Sequence, residues 1–366
     1  MATFDMVMVN TLGLNPKAQQ NPDGQEFMHH FERVLEMGMR RMFNIHLHSD
    51  FIYRLSGLKA QTKFSANYLM NASKNSLNII RNRRAKEIGN LRTSEKVGSA
   101  DILKKNEPIK DLDQGVVIPK VVDEAPAKSF AELLMENPNY SEEDDIELIS
   151  QMITIIGAGQ DTTKSSNMAT LILLALHPDV QDKVQEELDL ILGPDPNSCP
   201  SYEDLGKLDY LEMVIKESLR LQDFFYLGLL LRTVSTVTLE TDESYQQELK
   251  SSCQYTLYTV QPAPRPHILS LSRQFRPHSW TPDAVAERPP HSSMPFSTGQ
   301  RNCIGSKHAM LAMKTFLADV LRCHRILPAD ECASIDDIGF DVQITLKLNE
   351  NCKIRLEKRY MGEICT

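Results

Sequence analysis

A single tryptophan, Trp280, is all that the 366 residues contain, and aromatic residues together make up 7% of the chain. Long apolar runs are missing too: no window of roughly 18 residues is apolar enough to cross a bilayer. The opening MATFDMVMVN lacks the basic and apolar regions of a signal peptide, so no membrane anchor is expected within this chain. The seven cysteines are odd in number and scattered, with no CxxC pair and no Cys/His cluster. That spacing argues against a disulfide framework and a zinc site, and points to mostly reduced thiols. Positive charge is in deficit as well. A net charge of −9 and a pI near 5.6 exclude a general attraction to nucleic acid. The one dense basic run, Arg81 to Glu87, reads as the solvated end of a helix. No G-x-G-x-x-G follows a strand pattern, so the chain offers no nicotinamide or flavin site of its own, and there is no internal repeat.

What remains is a chain large enough to bury a substantial core, with 41% apolar residues and mostly helical periodicity. The pattern predicts a mainly α (α+β) fold. Residues 1–92 read as helices joined by a turn-rich NIHLHSDFIYRLSG, and 93–128 as an exposed polar loop. A helix of about 35 residues is expected from Ser141 to Leu176, opened by a Ser141/Asp144 capping box and stopped by His177 and Pro178. Halfway along it, GAGQDTT (Gly157 to Thr163) interrupts the apolar face. Glycine costs about 1 kcal/mol relative to alanine inside a helix, and threonine hydroxyls bond back to earlier carbonyls, so a bend is expected there. Further helices are expected over 177–192 and 202–221, a strand within 233–242, and an irregular meander over 233–290 in which Pro262, Pro264 and Pro266 forbid regular structure. After it come a helix over 306–327 and a hairpin turning at Asn349 to Asn351.

The densest chemistry lies in FSTGQRNCIG, Phe296 to Gly305. A thiolate is a strong electron donor to haem iron, and a loop bent tightly around it aims backbone N–H groups at the sulfur. Gly299 and Gly305 are expected to supply that bend through positive φ, Arg301 to pair with a haem propionate, and Phe296 to shield the sulfur of Cys303 from water. A helix starting just beyond would point its positive end at the thiolate.

FSTGQRNCIG resembles the FxxGxRxCxG haem signature of the cytochrome P-450 superfamily at every fixed position. At about one in twenty per fixed residue, five matches arise by chance roughly once in ten thousand chains of this length. GAGQDTT resembles the family's central-helix segment, which implies roles for Asp161 and Thr162 in delivering protons to dioxygen. KESLR resembles the family's ExxR pair as Glu217 and Arg220. The wording is most similar to the clan holding the fatty-acid ω-hydroxylases and many insect enzymes.

The resemblance implies a helix-rich domain with small sheets spanning 1–366, haem b (iron protoporphyrin IX) on Cys303, and propionates held by Arg301 and Arg232. It implies a monooxygenase that inserts one atom of O2 into an apolar small molecule, a lipid or xenobiotic, with electrons from an NADPH-dependent reductase. It also implies a site on the cytosolic face of the endoplasmic reticulum membrane. The chain departs from the family in four ways. It starts near the fifth helix of the family, which suggests a truncated N-terminus. Ser279 in FRPHSW stands where an arginine completes a triad with Glu217 and Arg220, leaving Arg276 or His278 as substitutes. The text of 243–273 is unlike the family's. Ala158 replaces the glutamate that attaches haem covalently in the fatty-acid branch. The first two departures motivate the competing expectation of a catalytically silent fragment, and chance matching of the motifs leaves a third, a helical interaction module without cofactor.

Overall fold

A computed structural model of the chain describes residues 1–94, 128–137, 141, 145–193, 195, 198–222, 237–238, 248–249, 274–288, 293–330, 334, 337–338, 340–342, 346–348 and 352–359. The described residues are mostly helical, with three small two-stranded antiparallel sheets among them. Its contacts separate into two units, Met1–Gln160 and Asp161–Thr366.

The first unit holds α1 (Ala2–Leu12), α2 (Pro22–Phe43), α3 (Asp50–Leu55), α4 (Leu58–Ser94), α5 (Phe130–Met135) and the start of α6 (Asp145–Leu176). The turn-rich connection between the first helices contains a 3-10 turn, Ile45–His48, and then α3. Proline at its first position and the Asn21 side chain, which accepts from the Asp23 amide at 3.2 Å, start α2. Phe4, Phe27, Phe31, Leu77, Ile80 and Met152 form the buried heart of the unit.

The predicted long helix is present as the 32-residue α6, helical without a break through Gly157 to Thr163. Asp144, and with it the expected capping box, lies outside the described residues. Packing explains the glycines of the segment. A Cβ on Gly157 would lie 2.1 Å from Cζ of Phe31, and one on Gly159 would lie 3.2 Å from Val7. Gly157→Ala should therefore destabilise the protein even though alanine favours a helix by about 1 kcal/mol. Expelling the Phe31 ring outweighs that gain, for a net loss of ~1–2 kcal/mol. A thermal melt is expected to show a midpoint lower by about 3–6 °C; a midpoint at or above that of the unsubstituted chain refutes the packing argument.

Charge also joins these helices. Arg81 makes two bonds to Asp145, and Arg83 donates to Glu132 at 2.7 Å and to the Gly13 carbonyl at 3.0 Å. Glu132 completes a capping box by accepting from the amide of Ser129 at 2.7 Å and its hydroxyl at 2.8 Å. Burial pushes the Glu132 carboxyl up, but the Ser129 and Arg83 hydrogen bonds outweigh it and hold the group below its ordinary 4.5. A carboxyl depressed in the folded state contributes stability above its unfolded value, and that stability is lost as pH falls through the folded value. The urea midpoint should fall as the solution is acidified below pH 4.5. Arg83→Gln is expected to flatten that dependence.

The second unit packs the rest of α6 with α7 (Pro178–Leu192), α8 (Tyr202–Lys207), α9 (Asp209–Gln222), α10 (Pro282–Ala286) and α11 (Ser306–Cys323). Leu174, Val184, Leu188, Leu211, Leu317 and Leu321 are fully or almost fully buried at its centre. The single helix expected over 202–221 is divided at Leu208. Glu187 of α7 accepts from the amides of Tyr210 and Leu211 at 2.7 and 2.9 Å, which caps the start of α9.

The helix expected to run to 327 ends at Cys323, where β3 (His324–Pro328) begins. This strand pairs with β6 (Ile354–Lys358) in the register Ile326↔Leu356, while β4 (Phe340–Val342) pairs with β5 (Leu346–Leu348). The turn expected at Asn349–Asn351 lies outside the described residues; of the strands on either side of it, β5 pairs with β4 and β6 with β3. The buried Gln181 locks β3 in place: its amide donates to the carbonyls of Leu174 and Ile326, and its oxygen accepts from the Ile326 amide at 2.7 Å. The strand expected within 233–242 appears as β1 (Val237–Thr238), paired with β2 (Glu248–Leu249). Cys199 and Cys303 are free thiols, whereas Cys323 is disulfide-bonded. Among the described residues, no helix is long and apolar enough to cross a membrane.

Candidate functional site

The candidate residues fall into three groups, all in the second unit. Phe296, Gly299, Arg301, Cys303 and Gly305 share one loop that leads into α11. Ser297 at φ 61° and Gly299 at φ 82° turn the chain. The Cys303 amide closes the turn by donating to the Phe296 carbonyl at 2.9 Å. A non-glycine residue at positive φ is uncommon, so Ser297 marks a conformation that the surrounding loop imposes. Gly305 departs from expectation. Its φ of −90° suits any residue, and it serves as the residue before α11. A Cβ there would meet the Cys303 sulfur at 3.9 Å, an ordinary contact.

Cys303 is exposed, as is Arg301, and Ile304 stands 95% exposed. Phe296 packs against the apolar core of the unit. The shielding expected of it is thus not supplied to the sulfur by the protein alone. Phe296 also borders a cavity of about 620 Å³ walled by Leu205, Leu219, Leu311 and Lys314, and the other candidates do not line it.

The second group lies on α6. Asp161 is buried, and Thr162 is half-buried with its carbonyl accepting from the Ser166 hydroxyl at 2.9 Å. Sequence reading missed Asn167, five residues on. It is 2% exposed, and among the described residues neither its amide nitrogen nor its oxygen has a hydrogen-bond partner. Such an orphaned pair costs about 1–3 kcal/mol per group, which marks this stretch of α6 as a place where packing was not the sole design pressure. Its position among Lys164, Ser165, Ser166 and Thr170 gave no local signal that set it apart.

The third group is the Glu217–Arg220 pair. The guanidinium bonds the carboxylate through Nε at 2.8 Å and Nη2 at 2.9 Å, and Nη2 also reaches the Gln274 carbonyl at 3.0 Å. The carboxylate, 1% exposed, additionally accepts from the Arg276 amide and the Trp280 indole, each at 2.8 Å, and from the Ser279 hydroxyl at 3.4 Å. The expected substitutes act differently from the expectation: Arg276 contributes its backbone N–H, and the His278 ring packs on Tyr210 with centroids 5.6 Å apart. Arg232, the second expected propionate partner, lies outside the described residues.

A family model described as cytochrome P450 matches residues 2–343. Probable cytochrome P450 4ac1 of Drosophila melanogaster is 36% identical over 212 residues, covering 58% of this chain and 40% of the relative. Cytochrome P450 4c3 of the same fly is 28% identical over 98% of this chain and 62% of its own length. Cytochrome P450 4d1 of Drosophila simulans is 30% identical over 89% of this chain and 58% of its own. The chain thus spans between 40% and 62% of the length of these relatives.

Proposed function

Because this chain belongs to the cytochrome P450 family, we propose that Cys303 would supply the thiolate that holds a haem b and that the whole protein is a monooxygenase acting on an apolar small molecule. The observation that carries this reading is the loop itself: an exposed thiol in a turn set by positive φ at Ser297 and Gly299, two residues past an exposed arginine. The donor set fits the group, pairing a soft sulfur ligand for iron with a guanidinium for a carboxylate. When bound, haem supplies the iron at which dioxygen is activated. Cys303 Sγ is the donor, held by the loop's backbone and by the N-terminal end of α11. Arg301 pairs with a propionate. With haem in place, Thr162 Oγ1 and the buried carboxylate of Asp161 would be the groups of α6 that hold and pass protons.

Electrons come from a separate reductase, a partner supported by the absence of any nucleotide-binding glycine motif in this sequence. To test the assignment, the chain is supplied with haem, reduced and exposed to carbon monoxide. The expected difference spectrum has its Soret band at the thiolate position; a band at the histidine or thiol position overturns the assignment.

A membrane surface is the proposed location, in keeping with an endoplasmic reticulum enzyme. Met42, Phe43, Ile45, Phe51, Leu55 and Phe64, all in the first unit between the end of α2 and the start of α4, are 56% to 75% exposed. Such a cluster is expensive to leave in water. Five basic residues lie among residues 36–64 (Arg40, Arg41, Arg54, Lys59 and Lys63) against two acidic ones, Glu36 and Asp50, which favours an anionic lipid surface. The chain should co-sediment with vesicles containing phosphatidylserine. The combined Phe43→Ser, Ile45→Ser, Phe51→Ser and Leu55→Ser variant should stay in the supernatant, and equal sedimentation of the two would remove the patch from consideration.

A further inference from the structure

The Glu217 carboxylate takes one bonded cation, Arg220, and three donors from the single short stretch Arg276–Trp280. Those three neutral donors serve it only while that stretch is held in one conformation. Internal bonds hold part of it: the Ser279 amide donates to the Arg276 carbonyl at 3.0 Å, and the Ser279 hydroxyl shares its one hydrogen between that carbonyl at 2.7 Å and Glu217 Oε2 at 3.4 Å. The remainder is held from outside. The Arg288 guanidinium lies over the Trp280 ring, 4.3 Å from its centroid, and its Nη2 donates to the Ser279 carbonyl. The same indole turns its N–H to Glu217 Oε2 at 2.8 Å. Guanidinium, indole and carboxylate therefore form a continuous chain, with Ser279 gripped on both its carbonyl and its hydroxyl.

We propose that Arg288 is the positioning residue of the Glu217 site: stacked on Trp280 and bonded to Ser279, it fixes the donors that satisfy the buried carboxylate and brings a second positive charge to a segment that has serine at position 279. Arginine suits this task because its flat guanidinium stacks on an indole and bonds a carbonyl at the same time, which lysine does not do. Burial works against the charge of Arg288, the Glu217 carboxylate favours it, and Arg220 opposes it. Those three effects are what a second cation in one carboxylate's neighbourhood experiences. No titration near neutral pH is involved, since arginine stays protonated. The inference rests on the fold alone and does not depend on the haem assignment.

The protein carries its own reporter, because Trp280 is the only tryptophan. In the full chain, at matched haem content, Arg288→Ala should shift tryptophan emission to the red and raise acrylamide quenching about twofold. It should also lower the denaturant midpoint. In a Glu217→Gln background the same substitution should lose at least half of its effect on the midpoint, since the donors it positions no longer serve a charge. Arg288→Lys keeps the charge without the flat stack and should recover the midpoint only in part, with emission still shifted. Emission unchanged by Arg288→Ala, or an equal midpoint loss in both backgrounds, overturns the proposal. If Arg288→Ala does not fold, Arg288→Lys carries the test: a red shift supports the proposal, and emission and quenching like those of the unsubstituted chain overturn it.

Discussion

Replacing Cys303 with alanine is expected to abolish the thiolate Soret band in the reduced carbon monoxide spectrum while leaving the melting midpoint of the haem-free chain within about 1 °C of the original. Both halves follow from exposure. Cys303 is a free, exposed thiol, and its backbone amide rather than its side chain closes the loop onto Phe296. Removing an exposed side chain of this kind changes stability by less than about 0.5 kcal/mol. The ligand, by contrast, has no understudy in the loop, since Cys199 and Cys352 belong to other parts of the second unit. Serine at 303 should behave like alanine, because a neutral hydroxyl is a poor donor to iron beside a thiolate. A band that survives both substitutions would move the ligand elsewhere and sink the reading of the loop. Gly299→Ala is a milder probe of the same geometry: at φ 82° a Cβ costs about 1 kcal/mol, so the loop should loosen without losing its sulfur.

How much of this was legible in the sequence depends on how far away the decisive partner lies. The turn around Cys303 could be read only in part, although it is local: Gly299 takes the expected positive φ, but Ser297 and not Gly305 supplies the other positive-φ residue. Helices α2 and α7 could be read because each displays one apolar stripe and a proline at its start. The glycines of α6 could not. Gly157 answers to Phe31, distant in sequence, and nothing near position 157 announces that ring. The break at Leu208 likewise depends on Glu187 reaching across from α7. HRIL reads as the continuation of α11 until β6 arrives as its partner from residues 354–358. At Glu217 the sequence showed the pair with Arg220 and the serine at 279. The donors that fill the carboxylate come together only when α9 meets the meander.

That convergence makes Glu217→Ala the substitution with the largest expected loss of stability. The carboxylate is 1% exposed and is the common acceptor for Arg220, the Arg276 amide, the Trp280 indole and the Ser279 hydroxyl. Alanine leaves a guanidinium in a half-buried setting with only the Gln274 carbonyl among these partners, and strands two strong N–H donors beside it. Breaking a buried pair by removing one partner costs about 3–5 kcal/mol. For a unit of this size that is a midpoint lower by roughly 10 °C. Glutamine at 217 separates charge from shape. Its carbonyl still accepts from one donor, while its NH2 faces another donor, so about half of the loss should return. Arg220→Ala should be as damaging as Glu217→Ala, because it leaves a carboxylate buried with neutral donors alone, whereas the double substitution should cost less than the sum of the two. Calorimetry with tryptophan emission on the same samples distinguishes these cases, as a freed Trp280 reports the loss of the site before the unit unfolds. Additive losses for the two singles would mean that the pair is an exposed-type contact, and the account of the buried carboxylate would fail with it.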